Sequence, residues 1–372
     1  FIKKRMEENG LEVREDAVGN VFGRLPGTDP SLAPVWTGSH IDTVLNAGMF
    51  DGNAGVISGM EALRLIKESG KQNKRDIEVI IYTSEEPTRF GLGCLGSRTM
   101  AGELTAEEMK TIVDKDGMSL AQVLESLGKN LEEIKDVKRK SGDVHAAVEL
   151  HVEQGAVLDT RGIEIGVVTT ISAPTDIRVS VFGTQEHAGA TPMDMRKDAM
   201  SAAAEIMLGL EGLARNSKDY STVATVGKVE VLPGSTNVIP GQVNFSIDIR
   251  SADMEDKEML ISKLKAIVSC VENVRNVKVN LEIVTHDAPA DADPHVIETI
   301  RGICDEDVVN YNMMVSGAYH DSMFVSKFAP FGMIFVPSKN GISHHIDEWT
   351  DFEDIAAGTD ILAETLFRLS NE

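Results

Sequence analysis

Short apolar or β-branched runs alternate with helical periodicities through the first 170 residues. Pro34-Val35-Trp36-Thr37 leads into Gly38-Ser39-His40, and Ala54 to Ser69 repeats its apolar positions every three to four residues. That spacing predicts a helix packed along one face. Residues 78–83 form a second apolar run, ending in Ser84-Glu85-Glu86. Val148-Glu149-Leu150-His151 reads as a third strand, ending in Glu153-Gln154-Gly155. Alternating strands and helices predict an α/β sheet, whose sites form at the C-terminal ends of its strands. His40, Glu85, Glu86 and His151 all fall at such ends.

The pattern changes near Ser172-Ala173-Pro174. Residues 176–183 alternate apolar with polar, a helix is expected at about 197–214, and strands follow at 222–231 and 243–250. A further helix near 254–270 and a strand near 277–285 complete the order strand, helix, two strands, helix, strand. That is the ferredoxin-like order. After Ala288-Pro289-Ala290-Asp291 the earlier patterns resume, up to a last helix at about 353–370. The expected architecture is a discontinuous α/β domain, residues 1–172 and 288–372, with a mostly parallel central sheet flanked by helices. A small α+β domain, 173–287, is inserted in it.

Composition narrows the function classes. The chain has 372 residues and a formal charge of -23, with 59 Asp+Glu against 36 Lys+Arg. Such a surface repels nucleic acid and anionic membranes, so neither is an expected partner. Mean hydropathy is -0.10, and no apolar run approaches the roughly 18 residues needed to span a bilayer. Cys94, Cys270 and Cys304 are too few and too scattered for a disulfide framework or a cysteine metal site. A helical pattern is already under way at Phe1, so a preceding segment is expected to be missing from this sequence, and with it any targeting signal.

The polar residues at the strand ends suggest a metal pair. His40 and Asp42, two apart in extended chain, point to the same side. Asp51 lies in a turn flanked by Gly48 and Gly52, where backbone can approach closely. A carboxylate there could bridge two ions about 4 Å apart, with Asp42 orienting His40. Glu85-Glu86 places two acids side by side after an apolar strand, which is costly unless a cation offsets them. Neighbouring side chains diverge, so one could bind metal while the other acts as general base. His151 shares a strand face with Glu149 and Glu153, and spacing does not choose among them. Nor does it choose between His344 and His345.

Taken together, Gly38-Ser39-His40-Ile41-Asp42, Phe50-Asp51-Gly52, Glu85-Glu86, Glu149 to Gly155 and Gly341-Ile342-Ser343-His344 resemble the M20-type metallo-amidohydrolases. The likeness runs along essentially the whole chain. It is strongest to the branch that acts on ureides and carbamoyl amides, and within that branch to the plant ureidoglycolate-cleaving members. The resemblance implies that His40, Asp51 and His151 hold one ion and that Asp51, Glu86 and His344 hold the other. It makes Glu85 the general base and puts Asp42 behind His40. The implied cofactor is a pair of divalent cations, expected to be Mn²⁺, although Zn²⁺ or Co²⁺ suits the same ligands.

The resemblance also implies that the insert is a lid that mediates dimerisation. His187, in Glu186-His187-Ala188-Gly189-Ala190-Thr191-Pro192, would polarise the scissile carbonyl from the partner subunit. Asn237 and Arg250 match positions that bind a substrate carboxylate, also expected across the interface, and the planar Arg fork suits that task. Gln154 and His320 are further candidate substrate contacts. Tyr319 stands where many relatives carry a small residue, and Pro87-Thr88 where many carry a Gly. Both point toward ureidoglycolate, cleaved at its ureido C–N bond to glyoxylate, ammonia and carbon dioxide.

Allantoate or an N-carbamoyl amino acid is the alternative substrate, and a peptidase or aminoacylase of the same fold comes next. A non-catalytic metal-binding dimerisation protein is the alternative of a different class. Plant members of this kind reside in the endoplasmic reticulum, the compartment expected here, with the cytoplasm as the alternative.

Overall fold

The apolar runs ending at His40, Tyr82 and Val152 become adjacent parallel strands. In the computed structural model, which describes residues 1–372, they lie within one nine-stranded sheet. Its centre has the spatial order Ile77–Tyr82, Val35–His40, Ala146–Val152, Phe331–Val336, all parallel. Every residue of these four strands is buried. Both faces are therefore covered, which is why their sequences read as continuous apolar runs. Val21–Leu25 and Ile165–Ile171 flank this core antiparallel on either side. The helices Asn53–Glu68 and Phe352–Ser370 pack together and bury Leu63, Ile66, Leu362 and Leu366 in the core beneath the sheet.

The chain divides into two compact units, residues 1–170 with 291–372, and residues 171–290. The expected insert ran from 173 to 287. In the second unit the strands Ala173–Phe182, Val223–Leu232, Gln242–Ser251 and Lys278–His286 form one antiparallel sheet. Numbered along the chain, their spatial order is 4-1-3-2, the ferredoxin-like arrangement. Gln242–Ser251 alternates strictly between buried and half-buried positions, so only one face is packed. The helices Ala199–Arg215 and Met254–Arg275 cover that face with Ile206, Leu210, Leu260 and Leu264. Each such burial contributes about 1.5–3 kcal/mol.

Helix limits differ from expectation by a few residues, for local reasons. The helix expected from 197 begins at Ala199 because Asp198 caps it, accepting the N–H groups of Met200 and Ser201. The one expected to end near 270 continues to Arg275 and stops where Asn276 turns left-handed.

Candidate metal centre and active site

His40 and His151 close two adjacent parallel strands, and Asp51 reaches them from the turn before the helix Asn53–Glu68. Gly52 makes this approach possible. Its φ is +66°, and a Cβ on it would lie 2.4 Å from the His40 ring. Its N–H donates to His151 Nε2 at 3.2 Å. Only glycine has both the conformation and the clearance needed here.

Asp51 belongs to two donor groups, while Glu149, His151 and His320 converge without it. His40, Asp51 and His151 form one, and Asp51, Glu86 and His344 the other, with ligand atoms in each within 4.8 Å of one another. Asp51 Oδ1 lies 3.5 Å from His40 Nε2 and 3.3 Å from His151 Nε2. Its Oδ2 lies 3.1 Å from His344 Nε2, which is itself 3.7 Å from Glu86 Oε1. One carboxylate thus presents one oxygen to each group, as a bridging ligand must. Imidazole with carboxylate is a donor set that Mn²⁺, Zn²⁺ or Co²⁺ accepts. These residues fit a pair of such ions.

The electrostatics agree with that fit. Glu85 is pushed up to about 8 by burial, with Asp321, Glu86 and Asp51 adding to the shift and His40 opposing it. Burial opposes charge on Asp51 too, yet hydrogen bonds from His151, His344 and His40 hold its carboxyl far below the usual range. Burial would lower His40, but its bond to Asp51 and the charge of Glu85 carry it well above its ordinary value. Protons here stand in for positive charge that cations would supply.

The far sides of His40 and His151 are engaged. His151 Nδ1–H donates to its neighbour's carbonyl, Val152 O, at 2.9 Å, leaving Nε2 to face Asp51. Glu149 and Glu153 are occupied elsewhere. Glu149 accepts hydroxyls from Ser39 and Ser322, and Glu153 accepts the N–H groups of Val157 and Leu158. His344 turns toward Asp51 through a left-handed backbone (φ +55°), whereas His345 Nδ1 accepts the Asp347 N–H. The segment is a turn and not the extended chain assumed from sequence.

Asp42 differs from expectation. His40 Nδ1 bonds its backbone carbonyl at 2.9 Å, while the carboxylate stays 3.9 Å away. The carboxylate instead accepts the backbone N–H groups of Glu85 and Glu86, at 3.3 and 3.0 Å. Asp42 therefore fixes the acid pair as well as the imidazole. The two side chains do diverge, Glu85 Oε2 lying 3.9 Å from His40 and Glu86 facing His344. Behind Glu85, Cys94 Sγ lies 3.7 Å from Oε1, a contact that sequence reasoning missed. Nothing in the run Gly91-Leu92-Gly93-Cys94 signalled it.

Among the expected substrate contacts, Gln154 donates to Asp51 Oδ2 at 2.8 Å. His320 packs edge-on against His151, with ring centroids 4.5 Å apart, and its Nε2 meets Ser316 Oγ. The Tyr319 hydroxyl, expected as a donor, accepts from Arg98 Nη2.

In the second unit, His187 and Asn237 lie together. Val238 pairs with His187, and Ala188 N–H donates to Asn237 O. His187 is exposed, and its Nδ1 accepts N–H groups from Gly189 and Ala190 at 3.0 and 3.3 Å. Its Nε2 therefore carries the proton of the neutral ring. Arg250 is not brought to this pair. It stands opposite Pro174 and Val223, whereas Gln242, at the far end of the same strand, leads into the His187–Asn237 pairing. The eight residue steps from Gln242 to Arg250 span roughly 27 Å at about 3.4 Å each. Arg250 also pairs with Asp248 at 3.0 Å.

Comparison with known proteins places this geometry. The profile of peptidase family M20/M25/M40 matches residues 36–368. A ureidoglycolate hydrolase of Oryza sativa subsp. japonica is 43% identical over 374 residues, covering 100% of this chain and 77% of the relative. An N-carbamoyl-L-amino-acid amidohydrolase of Paenarthrobacter aurescens is 39% identical, covering 97% and 87%. The crystal structure of AtUAH in complex with glyoxylate superposes with a TM-score of 0.90 at 42% identity, covering 100% of this chain and 89% of that one.

Proposed function

The chain belongs to peptidase family M20/M25/M40 and is a hydrolase acting on C–N bonds, and from that premise we propose that it hydrolyses ureidoglycolate with two divalent cations per subunit, as a homodimer. The observation that carries this reading is the single carboxylate of Asp51 shared by two donor groups, with the raised Glu85 beside them. His40, Asp51 and His151 would hold one ion, and Asp51, Glu86 and His344 the other. When bound, Mn²⁺ or a similar pair would polarise water and lower its pKa.

Glu85 takes the proton of the attacking water at Oε2 and returns it to the departing nitrogen. Asp42 holds the Glu85 backbone in place, and Cys94 Sγ lies behind the carboxyl. His187 of a second copy, its Nδ1 already engaged, offers Nε2–H to the ureido carbonyl oxygen as charge builds there. Because Arg250 stands a strand's length from the turn that holds Asn237, the two would reach one substrate carboxylate only from different copies. That requirement supports the dimer. The products would be glyoxylate, ammonia and carbon dioxide.

Tyr319, Pro87 and Thr88, together with the likeness to ureidoglycolate hydrolases, favour this substrate over allantoate or an N-carbamoyl amino acid. By resemblance to plant members we further propose the endoplasmic reticulum as its compartment, testable by fractionating cells that express the full-length protein. Ammonia release from ureidoglycolate, allantoate and N-carbamoyl-β-alanine, measured after reconstitution with Mn²⁺, tests the substrate. The highest kcat/KM is expected for ureidoglycolate. Since one or two pocket contacts give roughly 10–200-fold discrimination, a clear preference for either other substrate would overturn the choice.

A further inference from the structure

Glu348 has no part in the ligand set, yet the backbone of the bridging residue hangs from it. It is 3% exposed. Its Oε2 accepts the N–H groups of Phe50 and Asp51, at 2.9 and 3.1 Å. Its Oε1 accepts the hydroxyl of Ser343, next to His344, at 2.8 Å. Gly48 packs so closely over it that a Cβ would lie 2.2 Å from the Glu348 Cβ. Its own N–H donates to His345 O, closing the turn that carries His344.

This one carboxylate therefore ties together two stretches of chain nearly 300 residues apart, each carrying a ligand of the same donor group. His40 and His151 need no such tie, since they end buried strands of the central sheet. His344 does. Its side chain is 53% exposed, against 3% for His40 and 1% for His151, and its backbone is left-handed.

We propose that Glu348 is the positioning residue that assembles the Asp51–Glu86–His344 ion site, by fixing the Asp51 backbone and the His344 turn to each other. This rests on the two-ion reading above. Losing it should weaken one ion site much more than the other, whereas a merely structural cap would lower stability and leave both sites alike. The distinction is between geometry and charge as well. Gln keeps an oxygen for the two N–H groups and an amide for Ser343 Oγ, so Glu348→Gln should largely rescue the site that Glu348→Ala loses.

The test is calorimetric titration of metal-free protein with Mn²⁺, with far-UV circular dichroism to confirm folding. Wild type should bind two ions per chain. Glu348→Ala should keep one site near wild-type affinity and weaken the other by roughly 10–100-fold, the usual effect of removing a group that orients a ligand. Ser343→Ala, which cuts only the link to the His344 turn and is the milder variant should Glu348→Ala fail to fold, should weaken the same site less. Equal weakening of both sites, or none in folded Glu348→Ala and Ser343→Ala, would overturn the role. Fewer than two ions bound by wild type would instead overturn the two-ion reading on which it rests.

Discussion

The ligand cluster of the first unit and the His187–Asn237–Arg250 set of the second are built in opposite ways. The cluster sits at the ends of strands buried on both faces, where the Asp42 carboxylate is held by backbone N–H groups and that of Asp51 faces three imidazoles. In the second set Arg250 lies on a sheet packed on one face only and is held by Asp248, while His187 is exposed on a short two-stranded pairing that Asn237 precedes. Groups of the first kind are complete within one chain. On the function proposed above, groups of the second kind would act only once a substrate or a second copy engages them. The proposed function accordingly puts the chemistry in the first set and recognition in the second.

The largest effect should come from within the cluster. Glu85→Gln should lower kcat by about 10²–10⁴-fold, the range for a positioned general base, while calorimetry still finds both ions. Unchanged turnover would remove Glu85 from its role. His187→Ala should cost about 10²–10³-fold in kcat, as for loss of one donor to a developing oxyanion. Mixing Glu85→Gln with His187→Ala subunits should then restore activity, because a hybrid dimer has one site with both groups intact. If mixtures stay as inactive as their parents, His187 does not act across an interface.

Arg250→Ala should act on recognition alone, raising KM for carboxylate-bearing ureides by about 10–100-fold, in line with about 1.5–3 kcal/mol for a hydrogen bond to a charged group. An equal rise for an uncharged ureide would argue against contact with the carboxylate. The smallest effect concerns pH and stability. Glu85 and Asp321 are raised from 4.5 and 3.8 to about 8, so the folded ion-free protein keeps protons that the unfolded chain releases. Despite burial, His40 and His151 are also raised by Asp51 and neighbouring carboxylates, and their stabilising charge is lost as pH rises past the ordinary imidazole range. Both contributions make ion-free protein less stable from about pH 6 to 8.5. The gain in Tm on adding Mn²⁺ should therefore be larger at pH 8.5, as read by scanning calorimetry at both pH values. A gain that is larger at pH 6 would contradict this electrostatic account.

Much of the fold and of the cluster was legible beforehand, for reasons particular residues make plain. His40, Glu85, Glu86 and His151 were found because apolar runs precede them, and a parallel sheet brings such ends together. Asp51 was found because Gly48 and Gly52 mark a turn that only close approach requires. The partners behind them left no such mark. Glu348 looks like any acid in a polar turn, and Cys94 like any small apolar residue. The Asp42 carboxylate was expected at His40 because they are two apart, yet the amides of Glu85 and Glu86, more than 40 residues on, compete for it and win. The choice of His344 over His345 depends on a left-handed turn that alternation along a strand does not represent.

Local pattern by itself determined the α/β sheet, the inserted ferredoxin-like unit and the residue types of the candidate metal centre, since burial on one or both faces leaves a period in the chain. Only the tertiary structure decided which oxygen of Asp51 meets which imidazole, which acids hold backbone in place, and that Arg250 stands a strand's length from Asn237. Those outcomes follow from competition among donors brought together by folding, and separation along the sequence carries no record of that competition.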